Sequence, residues 1–260
     1  MTVVPSIKRD YLAKLAEQGK RADGRKFGEY RTIEIEPRVV SKAEGSARVK
    51  IGNTQVMVGV KMDVGEPYSD SPESGVLTTA AELIPLASPD FEAGPPREDA
   101  IELARVVDRG VRESEVVELD KLCLEPGEKV WIVFIDIHIL DYDGNLFDAA
   151  SLAALAALLT AKVPAERFEL GEDHPLPLKD PPVSCTSVKY NSVVVLDPSL
   201  DEEEIAEARL TVATDKNGDI RAMQKGLSGS FTREEIKKVI KVSINNGKEI
   251  REILYKNIEK

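Results

Sequence analysis

The segment Leu146–Lys162 constrains this chain more than any other. Its apolar side chains run all the way round the helix it would form, so that helix belongs inside a fold and not on its surface. The longest uncharged apolar run, Ala149–Ala161, contains Ser151 and Thr160 and falls short of the ~18–20 apolar residues that a membrane span needs. It reads as the buried helix of a soluble protein.

Strand patterns surround it. Thr32–Glu36 alternates Ile33 and Ile35 with polar neighbours, as a half-buried strand does. Ala47–Gly52 and Gln55–Met62 form a hairpin turning at Gly52-Asn53. Thr78–Leu86 is another apolar segment. Lys129–Leu140 is almost continuously apolar from Val130 to Ile135, the pattern of a central strand covered on both faces, with His138 as a core histidine. Later strands fall at Val183–Lys189, Ser192–Leu196, Arg209–Ala213 and Ile220–Lys225. Helical patterns cover residues 6–19 and Asp99–Glu115, and a long C-terminal helix begins at Thr232 with Glu235 completing a capping box. Its apolar side comprises Ile236, Ile240, Ile244, Ile250 and Leu254. The Pro-rich stretches near 85–96 and 174–182 are connections. Strands followed by helices, twice over, make an α+β fold of two βαββα-type halves with a long C-terminal helix, one domain across residues 1–260.

Composition narrows the function. A net charge of −11 argues against a protein that coats nucleic acid generally, while leaving room for a local basic face. Cys123 and Cys185 lie far apart and read as structural thiols. With His138 and His174 as the only histidines, no zinc constellation can be assembled, and neither metal nor cofactor is expected. The residues after Met1 lack a signal peptide's apolar core, so a cytoplasmic location with no membrane attachment is expected.

One helix could bind a polyanion. At about 100° per residue, Arg105, Arg109 and Arg112 fall within a sector about 60° wide, opposite Leu103, Val107 and Val111. Three guanidinium groups on one stripe suit successive phosphates of a strand. The same stripe also reads as a solvated face, with Glu102 and Asp108 spaced to pair with it. The acidic run Asp201–Glu204 could hold a divalent cation, yet Ser199 and Glu202 fit a helix start equally well. No nucleophile elbow or phosphate-cradling glycine loop is present.

Several segments together resemble the RNase PH superfamily. They are Arg21-Ala-Asp-Gly-Arg25, Gly45-Ser-Ala47 followed by Ile51-Gly-Asn-Thr-Gln-Val56, the run Glu92–Arg109, Leu124-Glu-Pro-Gly127, Leu140-Asp-Tyr-Asp-Gly144 and Val195-Leu-Asp-Pro198. The run Glu92–Arg109 resembles one branch in particular, the non-catalytic RNase PH-like ring subunit of the archaeal exosome. The match extends from about Lys20 into the C-terminal helix.

Two departures bear on activity. Where active relatives carry a phosphate-binding Gly-Gly-Thr-Arg, this chain has Gly144-Asn145-Leu146-Phe147, and neither Leu146 nor Phe147 can donate a side-chain hydrogen bond to phosphate. Where they carry two aspartates before a strand, Glu204 and Arg209 stand, and an arginine neither ligates a cation nor accepts a proton. The resemblance therefore implies a catalytically silent subunit. It further implies an active RNase PH-like partner, a hetero-hexameric ring of three heterodimers, RNA-binding cap subunits, and single-stranded RNA held in part by Arg105, Arg109 and Arg112. Two other readings stay open: an active phosphorolytic 3′→5′ exoribonuclease, and an unrelated acidic metabolic enzyme.

Overall fold

The computed structural model describes residues 6–259. In chain order they form α1 (Ser6–Glu17), β1 (Ile33–Pro37), β2 (Gly45–Ile51), β3 (Thr54–Gly65), β4 (Val76–Leu83), α2 (Glu98–Glu113), β5 (Cys123–Glu125), β6 (Lys129–Asp141) and α3 (Leu146–Thr160). Then follow β7 (Lys162–Val163), β8 (His174–Pro175), β9 (Val183–Tyr190), β10 (Val193–Leu196), α4 (Leu200–Ile205), β11 (Ala208–Thr214), β12 (Ile220–Gly226) and α5 (Arg233–Ile258). The order βαββα occurs twice, as β4–α2–β5–β6–α3 and as β10–α4–β11–β12–α5.

The first sheet has the order β1-β2-β3-β6-β4, with β5 also paired to β6. Its strands are antiparallel except β4, which runs parallel to β6. The second sheet, β10-β9-β11-β12, is antiparallel throughout. Helix α3 packs on β2 and β3 of the first sheet and on β9 of the second, so it lies between them. Every residue from Leu146 to Leu158 is buried, which is what an all-round apolar helix requires. The approach to β2 is close: a Cβ at Gly45 would meet the Ala157 carbonyl oxygen at 2.3 Å. Helix α5 packs on β9 and β11, and α2 on β4 and α3.

The helix ends follow from local chemistry. α1 stops at Glu17, two residues before the end expected from the sequence, because Gly19 takes a left-handed φ of 71°. There the Lys20 and Gly19 amides donate to the Leu15 and Ala16 carbonyls, closing the last turn. At the start of α5 the Thr232 hydroxyl accepts from the Glu235 amide and the Glu235 carboxylate accepts from the Thr232 amide, the expected capping box.

Three expectations need correction. β6 is buried on one face only: Val133, Ile135, Ile137 and Ile139 point inward, while Ile132, Phe134, Asp136, His138 and Leu140 lie half-exposed. His138 is accordingly no core histidine; its ring lies 3.4 Å from the Glu82 carboxylate on the outer face. The buried face of α5 carries Val239, Ser243, Gly247, Ile250, Arg251 and Leu254, with Ile236, Ile240 and Ile244 flanking it half-buried. Close packing explains the shift, since a Cβ at Gly247 would meet the Thr214 hydroxyl at 2.9 Å.

Candidate functional site

The segment Arg21–Arg31 clamps the chain's N-terminal part onto the turn between β10 and α4. Arg21, fully buried, donates from Nε and Nη2 to the Glu202 carboxylate at 2.9 and 2.6 Å, and to the Leu196 and Asp197 carbonyls. Asp197, also fully buried and at a left-handed φ of 47°, accepts from Arg25 at 2.8 Å and from Arg31 at 2.9 and 2.8 Å. Burial alone would raise its carboxyl, but Arg31 and Asn145 hold it below the usual range. The Arg-x-Asp-Gly-Arg motif is thus a structural tie that fixes where α4 begins.

The same tie reaches the start of α3. Asn145, buried at a left-handed φ of 57°, donates from Nδ2 to Asp197 at 2.7 Å and to Asp148 at 2.8 Å. Its backbone amide donates to Glu203, which also accepts from the Tyr142 hydroxyl at 2.8 Å. Gly144 is obligatory at φ 86°, because a Cβ there would lie 2.5 Å from the Leu200 amide. Burial pushes Glu203 above the ordinary carboxylate range despite those donors. It pushes Asp148 up to about 6, against hydrogen bonds from Tyr30, Asn145 and Thr186.

Leu146, Phe147, Glu204 and Arg209, the four departures read from the sequence, come together. They line one cleft of about 280 Å³ with Phe91, Tyr142 and Glu203. Five carboxylates border it, those of Asp90, Asp99, Glu102, Glu203 and Glu204, and Arg209 is the single cation among the lining residues. That cation is committed. Its guanidinium lies 4.0 Å from the Phe147 ring centroid and pairs with Glu102 of α2. A Cβ at Gly226 on the neighbouring strand would meet Arg209 Nη2 at 2.6 Å, so the backbone leaves room for it. An acid-bordered, aromatic-capped cleft repels an inorganic anion.

Helix α2 presents Arg105, Arg109 and Arg112 on its exposed side, as the spacing predicts. Their environments differ. Arg112 donates twice to Asp108, at 3.0 and 2.9 Å, and once to the Leu77 carbonyl at 2.9 Å; Asp108 holds its guanidinium above the ordinary value. Among the described residues Arg109 bonds only to the neutral Gln224 side chain, at 2.7 Å. Arg105 has no hydrogen-bond or ion-pair partner among the described residues. Glu102, spaced to serve Arg105, serves Arg209 instead.

The acidic run is a helix start: the Ser199 amide donates to Glu202 at 2.9 Å, and Lys8 pairs with Asp201 and Glu204. Cys185 is buried, and burial pushes its thiol well above the ordinary value, consistent with a structural role. Among the described residues no group of three or more His, Cys, Asp or Glu could hold a metal ion, and no helix is long and apolar enough to cross a membrane. The sequence reading gave no role to Arg31 or Tyr142 and named Asn145 and Glu203 only within longer runs; the available signal was the Leu-Asp-Pro turn at Asp197, a buried anion in need of cations.

The two profiles of the 3′ exoribonuclease family match this chain, domain 1 over residues 29–164 and domain 2 over residues 180–246. The chain belongs to the RNase PH family of 3′ exoribonucleases. Its RNase PH domains resemble the exosome complex component Rrp42 of Methanocella arvoryzae, 58% identical over 97% of each chain. The Archaeoglobus fulgidus protein of the same description is 56% identical over 96% of each. Among solved structures, a chain of the Archaeoglobus fulgidus exosome with RNA bound to the active site superposes with a TM-score of 0.93 at 55% identity, covering 95% of this chain and 97% of that one. A chain of an archaeal exosome core gives 0.89 at 51% identity, over 96% and 97%. Rice Rrp46, at 19% identity and a TM-score of 0.72, shares the fold.

Proposed function

We propose that this chain is a non-catalytic ring subunit of an archaeal exosome, which scaffolds an active RNase PH-like partner and lends Arg105 and Arg109 to single-stranded RNA. The observation that carries the silent role is the cleft at Leu146, Phe147 and Arg209. It is bordered by carboxylates, and its one cation stacks on Phe147 and pairs with Glu102. Phosphorolysis needs inorganic phosphate held beside the scissile bond, and this surface offers it one cation already paired with Glu102 in an unfavourable field. An active exoribonuclease would need the opposite charge pattern there.

The RNA role rests on α2. Arg105 and Arg109 are exposed and pair with no carboxylate, so both are available to phosphate oxygens, a contact that positions RNA without reading its sequence. Arg112 is spent on Asp108 and Leu77 and contributes less. The kinship supports the partner, the ring of three heterodimers and the RNA-binding caps; a cytoplasmic site of action remains part of this proposal.

The test is phosphorolysis of labelled single-stranded RNA by this chain, by its active partner, and by the two reconstituted together. Activity confined to the mixture, or far above the partner alone, is expected; phosphate-dependent nucleoside diphosphate release by this chain alone refutes the silent role. In phosphate-free buffer, Arg105→Ala/Arg109→Ala in the assembled ring should weaken RNA binding and flatten its salt dependence by about 0.7 per lost contact in log–log slope. Unchanged affinity and slope return the stripe to a solvated face.

A further inference from the structure

Of the five carboxylates on helix α2, Glu102 and Asp108 stand nearest Arg105 in sequence, three residues from it on either side. At that spacing either could neutralise Arg105. Neither does. Asp108 is held by Arg112 from one turn further along the same helix. Glu102 is drawn away by Arg209, a residue of β11 more than a hundred positions later in the chain. Arg209 is itself held in place: its guanidinium carbon lies 4.0 Å from the Phe147 ring centroid, its tip packs over Gly226, and its side chain is largely buried.

We propose that Arg209 is a positioning residue for RNA binding: by sequestering Glu102 it keeps Arg105 uncompensated and free to engage a phosphate. The inference rests on the RNA reading of α2 and gives the substituted position a purpose. An arginine where active relatives use an aspartate is more than a lost function; it is the counter-charge that clears the RNA-facing stripe. Phe147 takes part by supplying the flat face that orients the guanidinium toward α2. Glu102 and Arg105 each keep rotamers that would let them meet once Arg209 is gone.

The experiment measures RNA affinity and its salt slope in the assembled ring, in phosphate-free buffer, for Arg209→Met, Glu102→Gln, the double variant, and Arg209→Lys. A carboxylate released to about 6 Å from Arg105 should weaken RNA binding roughly threefold at low salt. The salt slope should fall as Arg105 is withdrawn from its phosphate. Glu102→Gln/Arg209→Met should restore both, since no charge is left to release, and Arg209→Lys should hold much of the wild-type affinity. Wild-type affinity for Arg209→Met overturns the proposal. So does a double variant as weak as Arg209→Met, which would place the effect in packing and not in Glu102. The Arg105→Ala/Arg109→Ala ring separates the two levels: a loss there with no effect of Arg209→Met sinks this inference alone, whereas no loss there sinks the RNA reading and this inference with it. Thermal unfolding of each variant, insensitive to a free Arg105, accounts for any loss of folded ring.

Discussion

Replacing Arg21 with Met should unfold this chain more readily than any other single change to the Arg-x-Asp-Gly-Arg segment. Arg21 and Glu202 are 0% and 2% exposed and meet through two hydrogen bonds at 2.9 and 2.6 Å. Arg21 also satisfies the Leu196 and Asp197 carbonyls at 2.9 and 2.8 Å. Removing the cation leaves Glu202 buried, with Tyr190 and Ser199 as its remaining donors among the described residues. It also strips the Leu196 carbonyl of its Arg21 donor, while Arg25 still reaches the Asp197 carbonyl at 3.1 Å. Breaking one half of such a pair costs about 3–5 kcal/mol. At roughly 2–4 °C per kcal/mol for a chain of this size, the melting temperature should fall by about 6–20 °C. Arg21→Met/Glu202→Leu, which removes both charges and keeps apolar volume, should recover at least half of the loss. Equilibrium urea unfolding of the two variants beside the wild type decides the matter. A loss under about 1 kcal/mol for Arg21→Met, or a double variant weaker than the single, would refute the clamp.

Gly45→Ala should cost at least about 1–3 kcal/mol, because the new methyl would sit 2.3 Å from the Ala157 carbonyl and must push α3 off β2; denaturant unfolding at wild-type stability would contradict that packing. Asp148 titrates near 6 when folded against 3.8 as its ordinary value, so the stability it contributes is full below about pH 4 and is lost as pH rises through 6, by up to about 3 kcal/mol. Asp148→Asn abolishes that titration and should be less stable throughout, since four donor groups converge on the carboxylate. Its deficit relative to wild type should shrink between pH 4.5 and 7.5, and a constant deficit would show that Asp148 does not titrate in that window.

Legibility in the sequence followed the strength of local signals. The interior helix, the Gly52-Asn53 hairpin and the Thr232–Glu235 capping box each depend on a pattern within one element, and each stands where it was expected. β6 misled because Ile132, Phe134 and Leu140 make its outer face look apolar, although Asp136 and His138 on that face already marked it as wet. The α5 face misled for another reason. Large isoleucines draw the eye, but a helix pressed onto β11 needs its smallest residues at the contact, and Ser243 and Gly247 occupy it. In the cleft, the departures at Leu146, Phe147, Glu204 and Arg209 were visible as residue types. Their convergence, and the capture of Glu102 by an arginine of another strand, are tertiary facts that no spacing within α2 could reveal.

A net charge of −11 and a role in binding RNA are compatible once charge is counted locally. Screening confines exposed charges to about 10 Å or less at ordinary salt, so an approaching phosphate senses the α2 stripe and its immediate neighbours more than the whole surface. By sequence α2 is not basic: five carboxylates accompany Arg105, Arg109 and Arg112, and Glu102 and Asp108 flank Arg105. The fold redistributes them. Arg112 takes Asp108, Arg209 takes Glu102, and two arginines are left without a carboxylate on a rigid, buried-backed helix. Other carboxylates, Asp90, Glu203 and Glu204 among them, border the neighbouring cleft together with Asp99 and Glu102 of α2. That distribution of charge is what the proposed silent, RNA-guiding role requires: disfavouring an inorganic anion in the cleft while leaving arginines open to the polymer.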